Sequence, residues 1–71
     1  MAVYNPQDYK PLEKGQVFSG VLDFCIKDAS GDVVCFLSDG SCRVRYRPGK
    51  ANIALVPRRR YVIREAEIQY A

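Results

Sequence analysis

The sequence predicts a mainly β fold: a small antiparallel β-barrel, OB-like or SH3-like, of four to five strands, with room for one short helical turn. Three observations carry that expectation. Phe18, Gly20, Leu22, Phe24 and Ile26 alternate with Ser19, Val21, Asp23 and Cys25, the period-two pattern of a strand with one apolar face. The run Val33-Val34-Cys35-Phe36-Leu37 is short, β-branched and aromatic, as a central strand is. Asp39-Gly40 is a hairpin signal, because glycine takes up positive φ freely, and a third alternating segment follows it. A chain of 71 residues is one domain, since so short a polymer buries only about 60% of its unfolded surface.

Taken in order, residues 1–13 contain Pro6 and Pro11 and no hydrophobic periodicity. Each proline lacks a backbone donor and biases the residue before it toward extended conformations. The segment therefore reads as an extended N-terminal arm, with Tyr4, Pro6, Tyr9 and Pro11 as candidate partner contacts. A frayed terminus is the plainer alternative. The barrel domain is expected over 14–71. Its first strand is long, from about Gly15 to Lys27, and Gly20 within it marks a bulge or bend, as a small barrel needs where one strand serves two sheets. Asp28 to Asp32 is a turn by composition. In the third strand, Ser41 to Arg47, Cys42, Val44 and Tyr46 point inward and Arg43, Arg45 and Arg47 point outward together, about 6.6–6.8 Å apart along the strand. Pro48-Gly49 breaks it. Residues 50–55 accept a helical turn or an irregular connection. In 61–70, Tyr61, Val62 and Ile63 favour a strand whereas Arg64-Glu65-Ala66-Glu67 tolerates a helix; a strand is taken.

The composition argues against an enzyme and against a cofactor or metal. With no histidine, a Ser-His-Asp triad, a Cys-His dyad and a histidine-ligated metal are all out of reach. Cys25, Cys35 and Cys42 have no C-x-x-C spacing and read as small buried hydrophobes in a reducing cytoplasm. Cys42 lies among arginines, which lower a thiol pKa, so it is the thiol to test for reactivity. Asp28, Asp32 and Asp39 belong to turns. Glu65 and Glu67 share a face if their segment is a strand, and a solvated face is the simpler reading. The glycines never fall in a phosphate-loop spacing. No apolar run approaches the ~20 residues of a membrane span, and residues 1–12 hold no apolar leader. A cytoplasmic protein without membrane contact is expected.

Charge is distributed unevenly. Residues 1–40 carry three lysines against six acids, residues 41–60 carry seven cations and no acid, and residues 61–71 carry one arginine against two glutamates. The seven are Arg43, Arg45, Arg47, Lys50, Arg58, Arg59 and Arg60. Their mutual repulsion costs stability unless an anion meets them, and arginine offers a planar fork of donors suited to phosphate. Tyr46 and Tyr61 lie among them as candidates for stacking on a base. The cluster reads as a polyanion footprint; a solvated basic face balanced by the acidic turns is the alternative.

Several residues also carry a family likeness. Gly20-Val21-Leu22 stand in the first strand, Val33 to Leu37 precede Asp39-Gly40, Gly49-Lys50 follow nine residues beyond Gly40, and Ile53, Leu55 and Pro57 precede Val62. Over residues 18–63 the chain resembles bacterial translation initiation factor one, an S1-like OB-fold family. The resemblance implies a barrel whose Gly-Lys loop and basic strand face ribosomal RNA, with Arg43, Arg45, Lys50, Arg58 and Arg59 in that role.

Two functions follow as expectations. The first is a non-enzymatic module that contacts the backbone of RNA, or of single-stranded nucleic acid, within the transcription or translation machinery, at an RNA polymerase or a ribosome. Its sequence readout is poor, because phosphate contacts position without specifying. The alternative is a protein-binding regulator, a phage-type modulator that docks on host RNA polymerase through the arm and the basic face.

Overall fold

A computed structural model describes residues 5–49, 53–65 and 67–71. The chain is mainly β. Among the described residues there is one 3-10 turn, Pro6–Asp8, opened by Asn5, whose side chain accepts a hydrogen bond from the Gln7 N–H at 3.1 Å. Six strands follow: β1 (Lys10–Pro11), β2 (Val17–Lys27), β3 (Val33–Ser38), β4 (Arg43–Gly49), β5 (Arg60–Arg64) and β6 (Glu67–Tyr70). They form one sheet in the order β1-β4-β3-β2-β5-β6, parallel between β1 and β4 and antiparallel elsewhere. Among the described residues no helix is long and apolar enough to cross a membrane.

The expected barrel is instead an open six-stranded sheet. β1 and β6 form its two edges. β1 is two residues long, and the last segment is spent on a hairpin with β5, so neither edge meets the other. The sheet nevertheless curls. Tyr46 of β4 and Glu65 of the β5–β6 turn are three strand steps apart, about 14 Å in a flat sheet at ~4.8 Å per strand. Here the Tyr46 hydroxyl donates to the Glu65 carbonyl at 2.9 Å.

β2 makes the curl. Its first half, Val17 to Val21, pairs with β5, and its second half, Val21 to Lys27, pairs with β3. Gly20 lies just before the switch, as expected of a bend. A Cβ there would stand 2.6 Å from Phe18 Cε1 and 2.9 Å from the Ser38 carbonyl oxygen, so only glycine lets β3 approach this closely.

The period-two reading of β2 holds only as far as Leu22. Leu22 pairs with Leu37 and Phe24 with Phe36, which leaves Asp23 as a bulge residue and reverses the alternation. Phe24 and Ile26 therefore lie on the opposite face from Phe18 and Leu22. Each face acquires its own apolar cluster. The inner one gathers Phe18, Leu22, Cys35, Leu37, Val44, Tyr61, Ile63 and Ile68. The outer one gathers Tyr9, Val34 and Phe36, with Phe24 packed against them. β3 feeds both, as a central strand with no polar face must.

Three further expectations are revised. β4 starts two residues later than the sequence suggests, because the Asp39 carboxylate accepts from the Ser41 and Cys42 N–H groups and holds both in the turn. It also runs through Pro48-Gly49 instead of stopping there. Val33 pairs with Gly49 while Cys35 pairs with Tyr46, so a bulge absorbs the proline, and β1 has ended before its missing donor matters. The last segment forms two paired strands, β5 and β6, and Glu65, directly after β5, has φ 51°. Of the residues 50–55 considered for a helical turn, 50–52 lie outside the described residues and 53–55 form an irregular connection.

The arm is a strand of the same sheet over Lys10–Pro11, and the Leu12 N–H continues the contact by donating to the Arg45 carbonyl at 3.0 Å. Tyr9 is 2% exposed. Its ring meets Phe24 and Phe36 edge-on, and its hydroxyl donates to Asp23 Oδ2 at 2.5 Å.

Candidate nucleic-acid interface

The strand register decides which arginines share a surface. In an antiparallel ladder, directly opposed residues point to the same side. Arg43 opposes Ser38, Ser38 opposes Val21, and Val21 opposes Arg60. These four residues make one row across β4, β3, β2 and β5 on the outer face. Arg45 opposes Phe36 and lies on that face too. So does Arg64, opposite Val17. The floor between Arg43 and Arg60 is made of Ser38 and Val21, with the Asp23 carboxylate accepting from the Ser38 hydroxyl at 3.4 Å, and an open groove lined by Pro11, Leu12, Val34, Arg45, Tyr46 and Arg47 runs beside β4.

The cations differ in what already holds them. Arg47 Nη1 lies 2.5 Å from Asp28 Oδ2 and 3.7 Å from Asp32 Oδ2, so the β2–β3 turn neutralises it. That turn is itself organised by Asp28, which accepts from the Ser30 hydroxyl and from the Ser30 and Asp32 N–H groups. The Ser30 hydroxyl above all, with those amides and the Arg47 charge, holds the Asp28 carboxyl below its ordinary range. Arg43 meets Asp8 only at 3.9 Å, with both side chains more than half exposed. Among the described residues, Arg45, Arg58, Arg60 and Arg64 have no carboxylate within ion-pair distance.

Arg59 points the other way. Its guanidinium lies 3.8 Å from the centre of the Tyr70 ring, which stacks on Tyr61 on the inner side of the sheet. Arg58 has φ 68° in the turn before β5, and its N–H donates to the Leu22 carbonyl at 2.7 Å.

The two tyrosines read as base-stacking candidates take structural places. Tyr61 is fully buried; its hydroxyl accepts from the Val56 N–H at 2.8 Å and donates to the Ala54 carbonyl. No base reaches its ring. Tyr46 is half-buried, faces inward and is tied to Glu65. Of the arm residues, Tyr9 belongs to the outer core and is removed from the partner-facing set for the same reason. Pro6 and Pro11 remain exposed. Tyr4 and Lys50 lie outside the described residues.

The sequence reading missed Arg64 as an outer-face cation, although period two from Arg60 through Val62 leads to it. It also placed Cys42 in the core, whereas Cys42 is exposed in the turn before β4. Cys25 is half-buried and Cys35 buried. Burial pushes both thiols up, Cys35 to about 12.

Fold and site together define a small mainly β protein with a basic outer sheet face. No protein-family model, no curated protein and no solved structure matches the chain.

Proposed function

We propose that this protein is a non-enzymatic module that holds the phosphate backbone of RNA or single-stranded nucleic acid on its outer sheet face. The observation that carries the reading is the row Arg43–Ser38–Val21–Arg60 with Arg45 beside it: cations on one side of one sheet, only one of them weakly paired. Guanidinium forks on rigid strands hold phosphate at several points, and their planar geometry lowers the rotamer entropy lost per hydrogen bond. Arg47 supports the β2–β3 turn and Arg59 packs on Tyr70, so neither serves as a main contact. With Tyr61 buried, binding is carried by phosphate contacts and is indifferent to base sequence. The resemblance to initiation factor one points to work inside a cytoplasmic transcription or translation assembly.

Titration of a fluorescent single-stranded RNA at several salt concentrations tests the reading. Three phosphate contacts give log K against log salt a slope of about −2. Arg45→Ala and Arg60→Ala each flatten the slope by about 0.7 while the fold is kept. RNA binding that is absent, or untouched by these substitutions, would overturn the proposal. Nuclease-resistant capture of an RNA polymerase subunit in its place would favour the protein-docking regulator.

A further inference from the structure

Cys25 and Cys35 are direct partners across the β2–β3 ladder, and their Sγ atoms lie 3.8 Å apart. We propose that they form a reversible disulfide site that exchanges with small-molecule disulfides of the glutathione type. Opposed residues of an antiparallel pair have Cα atoms about 4.5 or 5.5 Å apart, inside the ~4.4–6.8 Å that a disulfide spans. Small side-chain rotations therefore bring the sulfurs to the ~2.05 Å bond length. Opposed Cβ atoms usually stand about 4.5–5.5 Å apart, somewhat wider than the ~3.5–4.5 Å of a relaxed disulfide. The bond pinches the two strands, and a strained disulfide is readily reduced.

Access sets the order of events. Cys35 is fully buried, whereas Cys25 is half-buried. The Cys25 thiolate attacks one sulfur of the small disulfide; that S–S bond breaks and one small thiolate leaves. Cys35 then attacks Cys25 Sγ, the mixed disulfide breaks, and the second small thiolate leaves. The two protons lost by Cys25 and Cys35 end on the two released thiols. Two protein thiols are thus oxidised and one small disulfide is reduced. Burial raises both thiols above the ordinary thiol range, so exchange quickens as pH rises. Cys42 lies in the turn before β4, outside this ladder, and takes no part.

The experiment uses the full chain carrying Cys42→Ser, incubated folded with oxidised glutathione at pH 8 and read by intact mass and peptide mapping. The expected product has lost two hydrogens, links the Cys25 and Cys35 peptides, and returns to the starting mass on reduction. A persistent glutathione adduct on Cys25 overturns the proposal. So does a folded protein that keeps both thiols while the urea-unfolded chain oxidises. In Cys25→Ser, Cys35 stays unmodified; a glutathione adduct there refutes the order of attack.

Discussion

The Tyr46 hydroxyl and the Glu65 carbonyl are joined by a 2.9 Å hydrogen bond across the open mouth of the sheet. One partner lies on β4 and the other on the β5–β6 turn, so the bond fastens the curl where a barrel would use a ladder. Tyr46→Phe keeps the ring on the inner core and deletes the donor. It is expected to lower stability by about 0.5–1 kcal/mol, the net value of one such bond, in urea unfolding. Tyr46→Ala also removes packing and costs more. A Phe variant as stable as the parent would show that the curl is held by the core alone.

Gly20 is required by space. Its missing Cβ leaves room for the Ser38 carbonyl, and a backbone oxygen 2.9 Å from an added Cβ gives way only by moving β3. Gly20→Ala is expected to destabilise by about 1–3 kcal/mol, as overpacking does, and to lower the thermal midpoint accordingly.

These two positions mark how far the sequence was legible. Gly20 and the run Val33 to Leu37 announced a bend and a central strand, because a glycine inside an apolar alternation and an uninterrupted apolar run each have one economical explanation. The bulge at Asp23 did not announce itself. An aspartate on the polar side of an alternation is ordinary, and only the pairing of Phe24 with Phe36 reveals that the phase has reversed. The β5–β6 turn was hidden likewise, since Glu65 takes φ 51° without the glycine or asparagine that usually flags such a turn. For the site, alternation along β4 placed Arg43 and Arg45 outward. It said nothing of Arg59, whose direction depends on the Tyr70 ring, nor of Tyr9 and Tyr61, whose burial depends on strands distant in sequence.

The acidic turns give stability a pH dependence of defined sign. Asp28 is held below its ordinary range chiefly by the Ser30 hydroxyl, and Asp39 chiefly by the Cys42 N–H. A carboxylate whose folded pKa lies below its unfolded value contributes fully above the unfolded value of about 3.9. That contribution fades as pH falls through the folded pKa. Urea midpoints are therefore expected to be flat near pH 6 and to drop below about pH 4. Asp28→Asn and Asp39→Asn should each lower the neutral-pH midpoint and reduce the acid slope. Parallel curves for parent and variants would remove these carboxylates from the account.

The three thiols should separate cleanly under native labelling. Cys42 is exposed, Cys25 half-buried and Cys35 buried with its pKa pushed up to about 12. Because the thiolate is the reacting species, an aromatic disulfide reagent at pH 8 is expected to modify Cys42 first and Cys25 slowly. Cys35 should react only once the chain unfolds or the Cys25 adduct resolves. Stopped-flow absorbance with Cys42→Ser as control assigns the fast phase.

Arg45 and Arg47 separate binding from structure within one strand. Both are exposed and lie two residues apart on β4, so composition alone gives them the same role. Their surroundings do not. Arg47 is committed to Asp28 and Asp32, while Arg45 lies beside the groove without a carboxylate partner. Arg47→Ala is expected to lower the urea midpoint only slightly, as loss of an exposed ion pair does. The RNA salt slope should be nearly unchanged, because that guanidinium was already neutralised. Arg45→Ala is expected to leave the urea midpoint within about 0.5 kcal/mol, as surface changes do, and to flatten the salt slope by about 0.7. If both substitutions flatten the slope equally, the aspartates release Arg47 to the nucleic acid, and the footprint extends along β4 to the β2–β3 turn.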